Sequence, residues 1–124
     1  MGRCQFGQIV EAYIQDGAGR TKERPTLIVS SDQDNDQGLD LLVIAITKNI
    51  ENPCPDFHVL VHGDWTKDPR TGLSAPCVAK CNWVREVRQD KVIQSLGYMP
   101  EDLLEVIVEE FDKIQADPAF NTWI

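Results

Sequence analysis

Long hydrophobic runs are missing from this chain. The longest, Leu41 to Ile46, is six residues, against the roughly 20 that a membrane-spanning helix needs. A spanning helix is therefore excluded. The first residues, Met1-Gly2-Arg3-Cys4-Gln5-Phe6, hold no apolar signal core, and Phe6 stands where a myristoylation signal takes Ser or Thr. A cytoplasmic protein is expected. Basic residues are scarce, 12 against 20 acidic ones, giving a net charge of −8. That balance argues against binding nucleic acid through a whole-molecule field, so phosphate recognition would need a local basic patch. Cysteine is also sparse. Four irregularly spaced cysteines (Cys4, Cys54, Cys77, Cys81) do not make a secreted disulfide framework. Cys77 and Cys81 fall in a stretch that reads as a strand, where four residues span about 13 Å. Two thiolates so placed cannot share one zinc ion, and buried free thiols are expected. There is no phosphate-binding glycine motif and no G-x-S-x-G nucleophile elbow.

What is present is the composition of one compact domain. With 124 residues, 42% hydrophobic and 26% charged, the chain has enough apolar matter for one core and too much for disorder. Gln8 to Gln15 alternates, with Val10, Ala12 and Ile14 on one face and Ile9, Glu11 and Tyr13 on the other, predicting a strand. The glycine-containing stretch 16–23 reads as a polar loop, and Pro25 to Ser31 as a second strand. Asp40 to Thr47 is apolar on both faces, which predicts cover on both sides, by the core and by a helix or partner. Phe57, Val59 and Val61 alternate with His58, Leu60 and His62 in a fourth strand, and strand character returns from Pro76 to about Val87.

Two helices are predicted to close the chain. Asp90 can cap a short one bearing Val92, Ile93 and Leu96, with Gly97 at its C-terminal position. The second starts at Pro100, with Glu101 and Asp102 in the first turn and an apolar stripe of Leu103, Leu104, Ile107, Val108, Phe111 and Ile114. Residues 32–38 begin like a calcium loop. Gln37 replaces its turn glycine and Val43 its bidentate glutamate, so they read as an acidic loop. His58 and His62 share a strand face about 13 Å apart, too far for a common ligand, and are expected at the surface or rim. Trp65 lies in a loop, where it would stack on a base or cover the core edge. The domain is expected to span residues 1–124, with 116–124 as a tail whose Phe120, Trp123 and Ile124 would dock on the barrel or on a twin subunit.

The order of these pieces resembles the MazF/PemK (Kid) family of toxins from type II toxin–antitoxin systems. The matching stretches are Gly7-Gln8-Ile9-Val10, then Glu23-Arg24-Pro25-Thr26-Leu27-Ile28-Val29-Ser30 for the family's R-P-x-L-V-x-S strand, and Ile44-Ala45-Ile46-Thr47 for a strand ending in Thr or Ser. Gly72-Leu73, Cys77 to Asn82, and Leu96-Gly97 before the closing helix follow in the family's order. The resemblance implies a mostly β fold with terminal helices, an SH3-like small barrel of the MazF/PemK/CcdB type. It further implies a homodimer that cuts single-stranded RNA without metal or cofactor and is neutralised by an antitoxin protein. The family's Arg and Thr, which flank the scissile phosphate, fall on Arg24 and Thr47.

Metal-free cleavage uses the RNA's own 2′-hydroxyl, which must be aligned while phosphoryl charge is stabilised and protons are moved. A guanidinium suits the charge, since its planar fork meets two phosphate oxygens together. Without the resemblance, Arg24 reads equally as a snorkelling surface residue and Thr47 as an ordinary strand former. Arg20, Lys22 and Lys48 could supply the basic patch, or be solvated loop charges. One departure stands out: some members carry Arg and, two residues on, Asp where this chain has Lys80 and Asn82, which are assigned to RNA contact here. Asn82 cannot serve as a base. A competing reading is thus a barrel that has lost cleavage and binds protein or RNA. A third is gyrase inhibition, from the likeness of the Trp- and Ile-bearing tail to that of CcdB.

Overall fold

The computed structural model describes residues 4–61 and 70–117. Its strands are β1 (Gln8–Gln15), β2 (Thr21–Ile28), β3 (Leu41–Thr47), β4 (His58–Val61), β5 (Cys77–Val87) and β6 (Val92–Tyr98). The helices are α1 (Asp32–Asp36) and α2 (Glu101–Ala116), with a 3₁₀ turn at Gln89–Lys91. The strands form one antiparallel sheet in the order β4-β5-β3-β2-β1-β6. The β1 alternation is realised: Val10, Ala12 and Ile14 enter one buried cluster and Ile9 the opposite one.

β3 is the centre. Ile44 and Ile46 join a core with Ile9, Leu27 and the α2 residues Leu103, Ile107, Phe111 and Ile114. Leu41, Val43 and Ala45 join the other, with Val10, Ile14, Trp83 and Val92. Both faces of β3 are thus covered from within the chain, one by α2 and the other by the curled sheet itself. α2 keeps the helical stripe that its sequence predicts, and Glu101 and Asp102 sit in its first turn.

Three expectations are corrected. The short helix at 90–97 is instead strand β6, because the free edge of β1 offers a ladder along Gln8 to Ala12 that satisfies the backbone groups of Val92 to Tyr98. The glycine-containing loop is shorter than predicted. Asp16 accepts hydrogen bonds from the backbone N–H of Ala18 and Arg20, closing a tight turn, and β2 begins at Thr21. The acidic loop contains a one-turn helix, α1, because Ser31 caps it by accepting from the Asp34 N–H. His62, Trp65 and the tail 118–124 lie outside the described residues.

The sheet is open, with β4 and β6 at its edges, and residues 70–72, ahead of β5, run against β6. The Tyr98 N–H donates to the Arg70 carbonyl, and two glycines permit the approach. A Cβ on Gly97 would lie 1.9 Å from the Arg70 oxygen, and one on Gly72 (φ +67°) would lie 2.1 Å from the Leu96 oxygen. Backbone meets backbone there, which leaves no side chain to give way. Gly97→Ala is expected to destabilise the protein by about 2 kcal/mol or more, read as a lowered urea midpoint at unchanged slope.

Candidate functional site

β2 and β3 pair only from Ile28 with Val43 to Thr26 with Ala45. Two residues further along that register Arg24 would face Thr47, but the strands part, and a cleft of about 570 Å³ opens between them. Arg24 and Thr47 both line it, together with Lys22 and Lys48. Of the sequence-predicted residues, the structure brings these four together. Thr47 is half-buried, and its Oγ1 accepts from the Asn49 N–H at 3.2 Å. A threonine hydroxyl that accepts one hydrogen bond can still donate another.

Arg24 leaves β2 on the face that carries Trp83. Its guanidinium carbon lies 5.0 Å from the indole centroid, within cation–π range. The indole is anchored in turn by its Nε1–H, which donates to the Gln15 carbonyl at 3.0 Å. The Arg24 Nε is buried and has no hydrogen-bond partner. An unmatched charged donor is costly, and an anionic acceptor at this spot would relieve it.

The other predicted residues sit elsewhere. Arg20 is on the β1–β2 turn, 3.4 Å from Asp16 and largely exposed; its backbone N–H and charge hold the Asp16 carboxyl below the usual carboxylate range. Lys80 lies over the same indole as Arg24, its Nζ 5.5 Å from the centroid. Asn82 falls in an irregularity of β5, where Ile44 pairs with Val84 but Ala45 with Lys80, and its Oδ1 is buried without a partner. Neither lines the cleft.

Sequence reasoning missed two cleft residues, Glu11 and Glu23. The Asp16–Arg20 turn fixes a register in which Glu11 pairs with Pro25 and Tyr13 with Glu23. The two glutamates are therefore diagonal neighbours, within reach of one another. That turn was the available signal, and reading it as a longer loop hid the pairing. The neighbouring Glu11 and partial desolvation push the Glu23 carboxyl above the usual range, partly offset by Tyr13. Glu11 is steadied by the Gln94 amide, which donates to its Oε1 at 2.9 Å. Three cations against two carboxylates leave the cleft positive despite the chain's net charge. The acids concentrate elsewhere: α2 and residues 32–40 hold ten of the twenty and one of the twelve basic residues, and none of them lines the cleft.

His58 is a further correction. It is buried, with 1% of its side chain exposed and both ring nitrogens unpaired; the nearest acid is Glu51, 3.6 Å from Nδ1. The β4–β5 ladder sets it beside Lys80, and the alternation with Val59 and Val61 does not decide its exposure, since Leu60 on the same face of β4 is exposed while His58 is buried. The cysteines are free, with Cys4, Cys77 and Cys81 buried; burial and Glu110 push the Cys81 thiol up to about 12.

A curled antiparallel sheet backed by a C-terminal helix, with a basic cleft where two strands part, defines a small toxin-like barrel. The chain belongs to the family of PemK-like, MazF-like toxins of type II toxin–antitoxin systems, which it matches over residues 5–114. No curated protein matches it in sequence. Among solved structures it is similar to an endoribonuclease from a mycobacterial species, at 19% identity, 95% coverage of this chain, 96% of that one and a TM-score of 0.70. It is also similar to MazF of Deinococcus radiodurans, at 16% identity, 94% and 100% coverage and a TM-score of 0.75. The Mycobacterium tuberculosis toxin MazF-mt6 shares 21% identity, with 86% and 93% coverage and a TM-score of 0.66.

Burial and Lys80 lower the His58 pKa below its ordinary 6.5, against an opposing pull from Glu51. Below that pH the unfolded chain takes up a proton that the folded one refuses. Stability is then full above pH 6.5 and falls as pH drops toward the folded pKa, with a slope of up to about 1.4 kcal/mol per pH unit. Urea titrations between pH 8 and 5 should show this limb, and His58→Gln should flatten it.

Proposed function

We propose that this protein is a toxin that cuts single-stranded RNA within the chain, using the substrate's 2′-hydroxyl as nucleophile and no metal ion. The observation that carries the reading is the convergence of Arg24 and Thr47 on one cleft, with Lys22 and Lys48 at its wall. A phosphodiester seated there meets the Arg24 fork and the Thr47 hydroxyl, while the lysines hold the flanking phosphates. Attack of O2′ on phosphorus expels the 5′-oxygen and leaves a 2′,3′-cyclic phosphate. Arg24 supports this step because a planar guanidinium can stabilise the equatorial oxygens as they gain charge. The Trp83 face beneath the guanidinium restricts its rotamers, so less entropy is lost when it grips the phosphate.

The same reading includes a homodimer in the cytoplasm and an antitoxin that covers the cleft until it is removed. Solved relatives support the partner: one is a mycobacterial endoribonuclease in complex with its cognate antitoxin, at 18% identity and a TM-score of 0.70. An antitoxin suited to this cleft would place carboxylates against Lys22, Arg24 and Lys48, in competition with RNA phosphates.

A second reading has an observation of its own. Lys80 is occupied over Trp83 and the Asn82 carbonyl oxygen is buried, so the strand that carries acid and base groups in some relatives supplies neither here. On that reading the cleft binds RNA or protein without cutting. Induction of the wild-type chain without antitoxin, with cleavage of a mixed RNA pool in EDTA, separates the two. Growth arrest and products ending in cyclic phosphate are expected. Arg24→Ala should lower the cleavage rate by about 100-fold or more, and Thr47→Ala by a smaller factor. A wild-type protein that neither slows growth nor cuts the pool leaves only the binding module.

A further inference from the structure

Backbone hydrogen bonds alternate in direction along an antiparallel strand, and two of them fix the alternation of β2. The Asp16 N–H donates to the Arg20 carbonyl, and the Val29 N–H to the Leu42 carbonyl. Counting by twos along each register, Lys22, Arg24 and Thr26 exchange their bonds with β1, and Leu27 exchanges its bonds with Ile44 of β3. The next bond toward β3 falls to Pro25, opposite Ile46, and proline has no N–H to give. The β2–β3 ladder ends there, at Thr26 and Ala45. Beyond it Thr21 and Glu23 turn their N–H and C=O groups toward the cleft. Among the described residues no strand pairs with them on that side.

We propose that this free edge of β2 takes up an extended segment of the antitoxin as an added strand, with carboxylates at every second position and aliphatic side chains between them. The antitoxin as partner rests on the toxin reading above; the open edge does not. In such strand addition the main chain supplies affinity and the alternate side chains supply specificity. The alternation expected here follows from the two faces of β2. Lys22 and Arg24 pair with Ile14 and Ala12 and so lie on the side of the second core. There the Arg24 Nε is buried without a partner, and carboxylates on an incoming strand would meet both cations. Glu23 and Pro25 project to the opposite side. On that side Ile46 and Leu73 of the cleft wall belong to the first core, and Leu96 packs against it. Aliphatic side chains suit this wall, whereas acids would face Glu11 and Glu23, which also line the cleft.

The edge is poorly suited to a second copy of itself. Two β2 edges paired antiparallel about Glu23 would set Lys22 against the partner's Arg24, and like charges directly opposite one another are destabilising. An exposed lysine and a proline on an open edge are also the features that discourage self-pairing. An acidic strand in this place lies between Arg24 and Thr47. It would therefore exclude RNA by filling the cleft as well as by neutralising its charge.

The probe is an end-blocked octapeptide of alternating Glu and Val, followed by residue-resolved amide hydrogen exchange and by its effect on RNA cleavage. At saturating peptide the Thr21 and Glu23 amides are expected to slow by about tenfold or more. The Lys22 and Arg24 amides, already bonded to β1, should change little. Loss of binding on N-methylating one alternate set of peptide residues, and not the other, supports the added strand; antiparallel pairing predicts the Val set. Glu23→Pro should abolish binding, while Glu23→Ala, which keeps the N–H, should bind at least as tightly as wild type. Thermal melts establish that both variants are folded, and the methylated peptides decide the matter without either. Bound peptide should also slow RNA cleavage in proportion to its occupancy. Unchanged exchange at Thr21 and Glu23 in millimolar peptide overturns the proposal, as does an equal effect of methylating either set. Protection of the same amides that grows with protein concentration, with no peptide present, places a second copy on the edge and overturns it too. RNA cleavage by a chain that binds no peptide removes the strand-accepting edge and leaves the nuclease reading intact. Peptide binding by a chain that cuts no RNA keeps the edge and overturns the antitoxin as its partner.

Discussion

Antiparallel pairing of Thr26 with Ala45 and of Ile28 with Val43 fixes where every group in the cleft stands. Side chains alternate along a strand, so a slip of one residue would carry Arg24 and Thr47 to the opposite face and turn Leu27 and Ile44 into the wrong core. The slip is prevented by burial. Leu27, Ile28, Val43 and Ile44 are fully buried, and each fits a core of distinct shape on its own side. The cleft forms because this pairing stops early: β2 stays with β1 as far as Thr21, while Thr47 at the end of β3 pairs with Val78 of β5. Two rigid ladders thus diverge from a common seam, and the polar ends of both face the gap.

Charge is arranged on the same plan. An acidic chain binding an anionic polymer is a contradiction only if charge is spread evenly, and here it is not. The outward face of α2 and residues 32–40 hold half of the acids, while the cleft combines Lys22, Arg24 and Lys48 with a single pair of carboxylates. At ordinary ionic strength exposed charges are screened beyond about 8–10 Å, so a phosphate in the cleft responds to the local set. The remote acids act mainly on the long-range approach, where they slow encounter.

The irregularity in β5 adds a further constraint. Cys81, Asn82 and Trp83 are extra relative to β3, since the partners of Ile44 and Ala45 are Val84 and Lys80. Such a bulge bends a strand and re-aims its side chains. Trp83 consequently enters the second core and presents its ring to both Arg24 and Lys80.

Local pattern determined much of this from the sequence alone. The alternation of β1, the apolar run of β3, and the helical stripe and acidic first turn of α2 each repeat within a few residues, and the side-chain period is the structure. Arg24 and Thr47 were singled out through family likeness, since neither residue type is informative by itself. Tertiary structure decided what depends on partners distant in the chain. Val92, Ile93 and Leu96 have a spacing that a helix would accept, but the open edge of β1 and the close backbone approach at Gly97 draw them into a strand. His58 looked like an outer residue until β5 and the chain before it enclosed it. The diagonal placement of Glu11 and Glu23 follows from hairpin register, and the lining of one cleft by Arg24 and Thr47 from the end of the β2–β3 seam. Sequence carries the periodicity of each element because that is set by neighbouring residues. Which elements face one another is set by burial across the whole fold, and only the folded chain specifies it.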